Sequence, residues 1–250
     1  MKNNFYNKSI ENIYSGPSTK TEVSSQILYG ERFKILYKKK GWIKIKTIFD
    51  NYSGFIKQNK FNNTFNPSYK IFWGKSIIYK KVKSNFIKTK KYLYFSSQIQ
   101  NLETNKNFVK FNENNWVNKK SLKKINHIEK NYKKVLKLFD KTKYLWGGKS
   151  VDGIDCSALI QLFFKYNLNF FPRDTKDQIN FCKKNSKKNF KEGDIIFWKG
   201  HVGICLNKRQ IIHAYGPRKK VLIMPIKKTI DTIFKTTKLK VKKISNINLY

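Results

Sequence analysis

The spacing of hydrophobic residues changes twice along this chain, and those changes limit its fold more than any other feature. In RFKILYKKKGWIKIKTI, Phe33, Ile35 and Tyr37 and then Ile43 and Ile45 alternate with lysines. A period of two predicts half-buried strands, with Lys40-Gly41 at the turn between them. Near residue 125 the period lengthens. In HIEKNYKKVLKLFDK, Ile128, Tyr132, Val135 and Phe139 recur at helical spacing, with lysines on the other face. CSALIQLFFKY is apolar almost all round, which predicts a helix buried at the centre of a domain. PRDTKDQINFC opens another helix, with Thr175 and Gln178 spaced as a capping box. From Asp194 the alternation returns in DIIFW, HVGICL, QIIHAY and VLIMP. Helices followed by an antiparallel sheet make an α+β layout.

The strand-rich half also repeats itself. Phe55-Ile56 followed by Phe61 superimposes on Trp116-Val117 followed by Leu122, so NYSGFIKQNKF and ENNWVNKKSL read as two copies of one small β unit. QNKFNNTFNPSYK between them is polar, contains Pro67 and reads as a linker. The expected domains are therefore residues 1–62, 63–124 and 125–250, a length that accommodates more than one core.

A chain with 40% hydrophobic residues folds rather than staying disordered. Its formal charge of +39 raises the question of an anionic partner. Arginine occurs only at Arg32, Arg173, Arg209 and Arg218, so the charge is almost all lysine. Selection for phosphate recognition favours the bidentate guanidinium, whereas lysine with asparagine, isoleucine and phenylalanine reads as the mark of A+T-rich codons. No specific nucleic-acid partner is expected. MKNNFYNKSIENIYSG lacks the apolar core of an export signal, and no run approaches the ~20 apolar residues of a membrane span. The three cysteines, Cys156, Cys182 and Cys205, are an odd number, which fits reduced thiols. A cytoplasmic location away from membranes is the expectation.

One stretch stands apart from its lysine-rich surroundings. In DGIDCSALIQ a glycine turn delivers Asp155, Cys156 and Ser157 to the start of the buried helix. Unpaired N–H groups and the positive end of the macrodipole at a helix start favour a thiolate, the nucleophilic form. Cys182 and Cys205 lie in apolar patterns and read as buried small hydrophobes. Two of the three histidines, His201 and His213, fall in the predicted sheet. If Asn207-Lys208-Arg209 is a hairpin loop, Leu206 faces Gln210 and Gly203 faces His213. His201 and His213 then share one face, a diagonal apart. A cysteine at a helix end, a base on a strand and a second ring to orient that base form a nucleophile–base–orienter set. His127, among polar residues, reads as a surface residue. Structural zinc is disfavoured because no closely paired ligands occur.

YLWGGKSVDGIDCSALIQ, PRDT, EGDIIFWKGHVGI and IIHA together resemble the NlpC-type family of bacterial cell-wall cysteine peptidases, over about residues 140 to 225. LYGERFKIL, DNYSGFI and NNWVNKKSL resemble the paired bacterial SH3 domains that precede this domain in one subgroup. The resemblance implies a papain-like α+β catalytic domain behind two small SH3-like β-barrels, with nucleophile, base and orienter on Cys156, His201 and His213. It implies hydrolysis of the bond after γ-linked D-glutamate in peptidoglycan stem peptides. Free L-Ala-γ-D-Glu-diamino acid is the expected substrate, as in cell-wall recycling, with no metal or other cofactor and a monomeric enzyme. Asp155 and Ser157 match positions that hold the substrate amine. Tyr144 and Thr175 match further pocket positions, and Tyr52 matches a tyrosine contributed by the first SH3-like domain. The oxyanion would be held by the Cys156 N–H together with the Tyr144 hydroxyl. Ala158 departs from the glycine usual there, and the lysine-rich stretch after VLIMP has no assigned role. The competing readings are a basic module binding nucleic acid or an anionic wall polymer without catalysis, and an amidase or acyltransferase on the same scaffold.

Overall fold

In a computed structural model, residues 3–184 and 189–250 are described. The chain divides into two compact units, one of Met1–Glu129 with Lys165–Leu168 and one of Lys130–Phe164 with Asn169–Tyr250.

The first unit is built from antiparallel strands around two separate cores. A six-stranded sheet runs Asn3–Phe5, Arg32–Lys39, Trp42–Thr47, Ser53–Lys57, Ile10–Tyr14, Val23–Leu28. It encloses Ile13, Ile27, Phe33, Ile43, Ile45 and Ile56. The alternation buries Phe33, Ile43 and Ile45, but Ile35 is only partly buried and Tyr37 is 47% exposed, because the strand register shifts between Ile35 and Tyr37. Lys39 pairs with Trp42 across a two-residue turn, and Lys40 and Gly41 both take positive φ, 44° and 77°. That is the geometry hairpin twist demands of such a turn. A second core of Ile71, Ile78, Leu93, Ile99, Val109, Phe111, Val117 and Leu122 lies between a five-stranded and a three-stranded sheet. Repeated Ile56 and Val117 are both fully buried, one in each core. The expected linker is tied down: Phe61 packs on the first core and Phe65 on the second.

The second unit places helices α1 (Tyr132–Lys137), α2 (Cys156–Tyr166) and α3 (Thr175–Phe181) before a five-stranded antiparallel sheet. Its spatial order is Lys220–Pro225, Gln210–Tyr215, His201–Cys205, Asp194–Trp198, Lys243–Asn246. The fold is α+β. Helix α1 is shorter than its periodicity suggested. Ile128 lies outside it and is 52% exposed, whereas Tyr132, Val135 and Phe139 are buried. The Tyr132 hydroxyl donates to the Cys205 carbonyl at 2.7 Å, joining α1 to the sheet. Helix α4 (Ile226–Thr237) was not anticipated; Ile226 and Ile233 pack on Ile196, Trp198, Cys205, Ile211 and Tyr215. The unassigned lysine-rich stretch thus supplies this helix and an edge strand. Among the described residues, no helix is long and apolar enough to cross a membrane.

Candidate active site

Helix α2 begins at Cys156, and its start is fixed by a tight approach of two chain segments. A Cβ on Gly148 would lie 2.4 Å from the Gly153 carbonyl oxygen, and one on Gly153 would lie 2.6 Å from Leu145 Cβ. Only glycines allow the WGG and DG turns to close on each other. Asp155 then caps the helix, its Oδ1 accepting from the Ala158 N–H at 2.8 Å. Ala158 itself is fully buried, so its methyl is accommodated.

Cys156 is 4% exposed. Its Sγ lies 3.9 Å from Thr175 Oγ1 and is directed at the Gly200 carbonyl 4.0 Å away, next to His201. Burial pushes the thiol up to about 11, and the Asp155 charge adds to the effect; the Val202 N–H, Thr175 and Arg173 oppose it. The helix end was expected to favour a thiolate. Here desolvation is the largest effect, and the resting group is a thiol.

The histidines expected to act as base and orienter lie on the sheet. Ile204 pairs with Ile212 and Cys205 with Ile211, and Leu206 N donates to Gln210 O at 2.8 Å. This is the register read from the sequence, and it sets Gly203 across from His213. His201 Nε2 and His213 Nδ1 are 2.9 Å apart. Burial lowers His201 to about 3, with His213 adding to the effect, and burial lowers His213 to about 4. Both imidazoles are neutral at pH 7. For His201 to accept a proton at Nδ1, its Nε2–H must donate to His213 Nδ1. The His213 proton then sits on Nε2, a buried atom without a hydrogen-bond partner among the described residues. Tyr215, two residues beyond His213, stacks on it at 5.1 Å and 20°. The Tyr215 hydroxyl hydrogen-bonds Thr236 Oγ1 of α4 at 2.8 Å.

The NlpC/P60 family model matches residues 141–239, and the bacterial SH3 domain model matches residues 9–60. The chain carries an NlpC/P60 domain. Within it, 76 residues are 37% identical to the probable endopeptidase NlpC homolog of Haemophilus influenzae, 29% of this chain and 42% of that protein. Similarity to the gamma-D-glutamyl-L-lysine dipeptidyl-peptidase of Bacillus subtilis is 35% over 95 residues, 35% of this chain and 32% of the relative. The chain thus spans half or less of the curated relatives it matches. A crystal structure of an NlpC/P60 family protein from Bacillus cereus matches with a TM-score of 0.76 at 18% identity, covering 90% of this chain and 94% of that one, a likeness of fold.

Within the NlpC/P60 domain, Cys156, Asp155, Ser157 and Thr175 come together. Arg173 joins them and was not assigned a role from the sequence. Its Nη2 donates to Asp155 Oδ2 at 2.6 Å, and its Nη1 donates to Asp155 Oδ1 at 3.0 Å and Ser157 Oγ at 2.8 Å. The Gly147 N–H and Ser157 hydroxyl also donate to the same carboxylate, at 3.1 Å each. Five donors fill its lone-pair directions, so Asp155 is a helix cap and arginine anchor here. A substrate ammonium would have to take the place of one of them. The scarcity of arginine was the available signal for Arg173, one of four among 54 basic residues.

The expected capping box is not formed. Asp174 precedes α3 without a side-chain cap bond, and Gln178 Nε2 instead donates to Ser157 O at 3.1 Å and Pro172 O at 2.9 Å. Gln178 is fully buried, so tying α3 to α2 takes precedence over the cap. The Thr175 hydroxyl faces Cys156. Tyr144 is held protonated by burial, and the nearby Asp155 carboxylate adds to it. Tyr52 belongs to the first unit, where its hydroxyl donates to the Ser24 carbonyl at 3.2 Å. His127, expected at the surface, is partly buried with Nδ1 2.9 Å from the Tyr166 hydroxyl.

Proposed function

We propose that this protein is a cysteine peptidase that hydrolyses the γ-D-glutamyl–diamino acid bond of peptidoglycan stem peptides. Free L-Ala-γ-D-Glu-diamino acid peptides are its substrate, in cytoplasmic cell-wall recycling. The observation that carries the reading is the 2.9 Å hydrogen bond between His201 and His213, beside a helix-start cysteine whose thiol is directed at Gly200. The names of relatives such as the Bacillus subtilis dipeptidyl-peptidase support the bond assigned.

Both members of the catalytic pair rest neutral, so proton transfer accompanies attack. The Sγ–H proton passes to His201 Nδ1 as sulfur bonds to the γ-glutamyl carbonyl carbon. His213 Nδ1 accepts from His201 Nε2 and stabilises the imidazolium that forms. The oxyanion is held by the Cys156 N–H, with Tyr144, kept protonated, as second donor. As the C–N bond breaks, the diamino acid amine takes the proton from His201. Water, deprotonated by the same imidazole, then cleaves the thioester and releases the dipeptide acid. These steps use no metal or organic cofactor.

Asp155 and Ser157 hold the amine end, Tyr144 and Thr175 line the rest of the pocket, and the part assigned to Tyr52 rests on the resemblance alone. An ammonium replacing a neutral donor at Asp155 gains a charge-assisted contact worth roughly 1.5–3 kcal/mol. The test is kcat/KM on L-Ala-γ-D-Glu-diaminopimelate and on its N-acetylated form, with mass analysis of products. The free-amine peptide is expected to be cut at least about tenfold faster. Equal rates would remove the recycling assignment. A DD-endopeptidase activity on murein instead, as in the name of the Escherichia coli relative, would replace the bond proposed.

A further inference from the structure

The family match ends at residue 239, yet the chain continues through a strand that completes the catalytic sheet. Lys243–Asn246 pairs antiparallel with Asp194–Trp198, with Asp194 opposite Asn246 and Phe197 opposite Lys243. From this strand and the turn after it, two side chains reach the far end of α3. Lys243 Nζ donates to the Ile179 carbonyl at 2.7 Å. That carbonyl is among the last four of the helix, which lack intrahelical donors, and α3 has no basic residue of its own in its last turn. The Tyr250 ring lies 5.4 Å from Phe181 and 6.3 Å from Phe171. Its hydroxyl bonds Ser245 Oγ at 3.0 Å and accepts from the Lys183 N–H. Cys182, 2% exposed, is buried at the same place.

The other end of this short helix faces the nucleophile, through Thr175 Oγ1 at 3.9 Å from Cys156 Sγ. With seven residues, α3 is about 10 Å long, so contacts at its two ends are coupled through two turns of helix. We propose that residues 240–250 set the position of α3 as a wall of the substrate site, with Lys243 and Tyr250 as positioning residues. This rests on the peptidase reading for its kinetic consequence, but not for its structural one. A displaced wall weakens binding of the peptide more than it alters chemistry at Cys156 and His201.

The test compares Tyr250→Ala, Tyr250→Phe and Lys243→Met in the full chain with wild type. For Tyr250→Ala and Lys243→Met, KM for L-Ala-γ-D-Glu-diaminopimelate is expected to rise about tenfold with kcat within about twofold. Tyr250→Phe keeps the ring cluster and should recover most of the KM. Unchanged KM in both variants, or a loss confined to kcat, overturns the proposal. If Tyr250→Ala does not fold, Lys243→Met decides, since it leaves the rings in place. If wild type does not cut the peptide, the peptidase reading has failed, and the rate of Cys156 alkylation by iodoacetamide becomes the readout. That rate should change severalfold in both variants while Cys205 stays unreactive, and an unchanged rate overturns the proposal.

Discussion

Arg173 and Asp155, the latter next to Cys156 in the chain, meet as a bidentate ion pair with side chains 1% and 8% exposed. Both charges are desolvated, so removing one leaves the other buried without its partner. Arg173→Ala is expected to lower stability by about 3–5 kcal/mol in urea denaturation. Arg173→Lys should recover only part, because an ammonium cannot reproduce the fork that also reaches Ser157. A loss under about 1 kcal/mol for Arg173→Ala would show that the pair does not organise this site.

Cys156→Ala should abolish hydrolysis with the fold retained, while Cys182→Ala and Cys205→Ala keep most activity. The thiol is raised to about 11, so its thiolate fraction grows with pH towards that value. Alkylation of Cys156 in the free protein should therefore climb steadily from pH 6 to pH 10. A plateau between pH 5 and 8 would reveal a preformed thiolate–imidazolium pair and contradict the neutral resting state.

His201 and His213 sit at about 3 and about 4 when folded, against 6.5 as the ordinary value. Below pH 6.5 the unfolded chain therefore binds protons that the folded protein does not. Stability is full above that pH and falls as pH drops towards the folded values, by up to about 1.4 kcal/mol per pH unit for each histidine. Urea midpoints measured from pH 7.5 to 4.5 should show this decline, and His213→Gln should flatten it. An equally steep decline in the variant would assign the acid sensitivity elsewhere.

Gly203 faces His213 across the hairpin. A methyl at this position would lie 3.1 Å from His213 Cβ and 2.8 Å from Ile211 Cδ1. Gly203→Ala should push His213 off its 2.9 Å contact with His201 and lower kcat by about tenfold or more. Measured kcat within twofold of wild type, with the variant folded, would mean that the orienting contact tolerates the shift.

Much of the site was legible because its signals are local. A glycine turn ahead of Cys156, alternation through DIIFW and HVGICL, and a loop at Asn207-Lys208-Arg209 are each set within a few residues. A hairpin register follows from loop length and a period of two, which is why His201 and His213 could be brought to one face before any coordinates. The exposure of Ile128 was not legible, since periodicity says which residues share a helix face but not where the helix begins.

What only the tertiary structure decided is the electrical state of those same residues and the company they keep. A helix start favours a thiolate, yet the neighbours that bury Cys156 come from segments distant in sequence, and their desolvation prevails. Gln178 has the spacing of a cap, but bonds to Ser157 and Pro172 hold it in the interior. Arg173 finds Asp155 across 18 residues, and Lys243 finds Ile179 across 64. Local sequence determines backbone conformation because its causes are steric and short-ranged. Burial and long-range pairing depend on which surfaces meet, and that is settled only when the whole chain has packed.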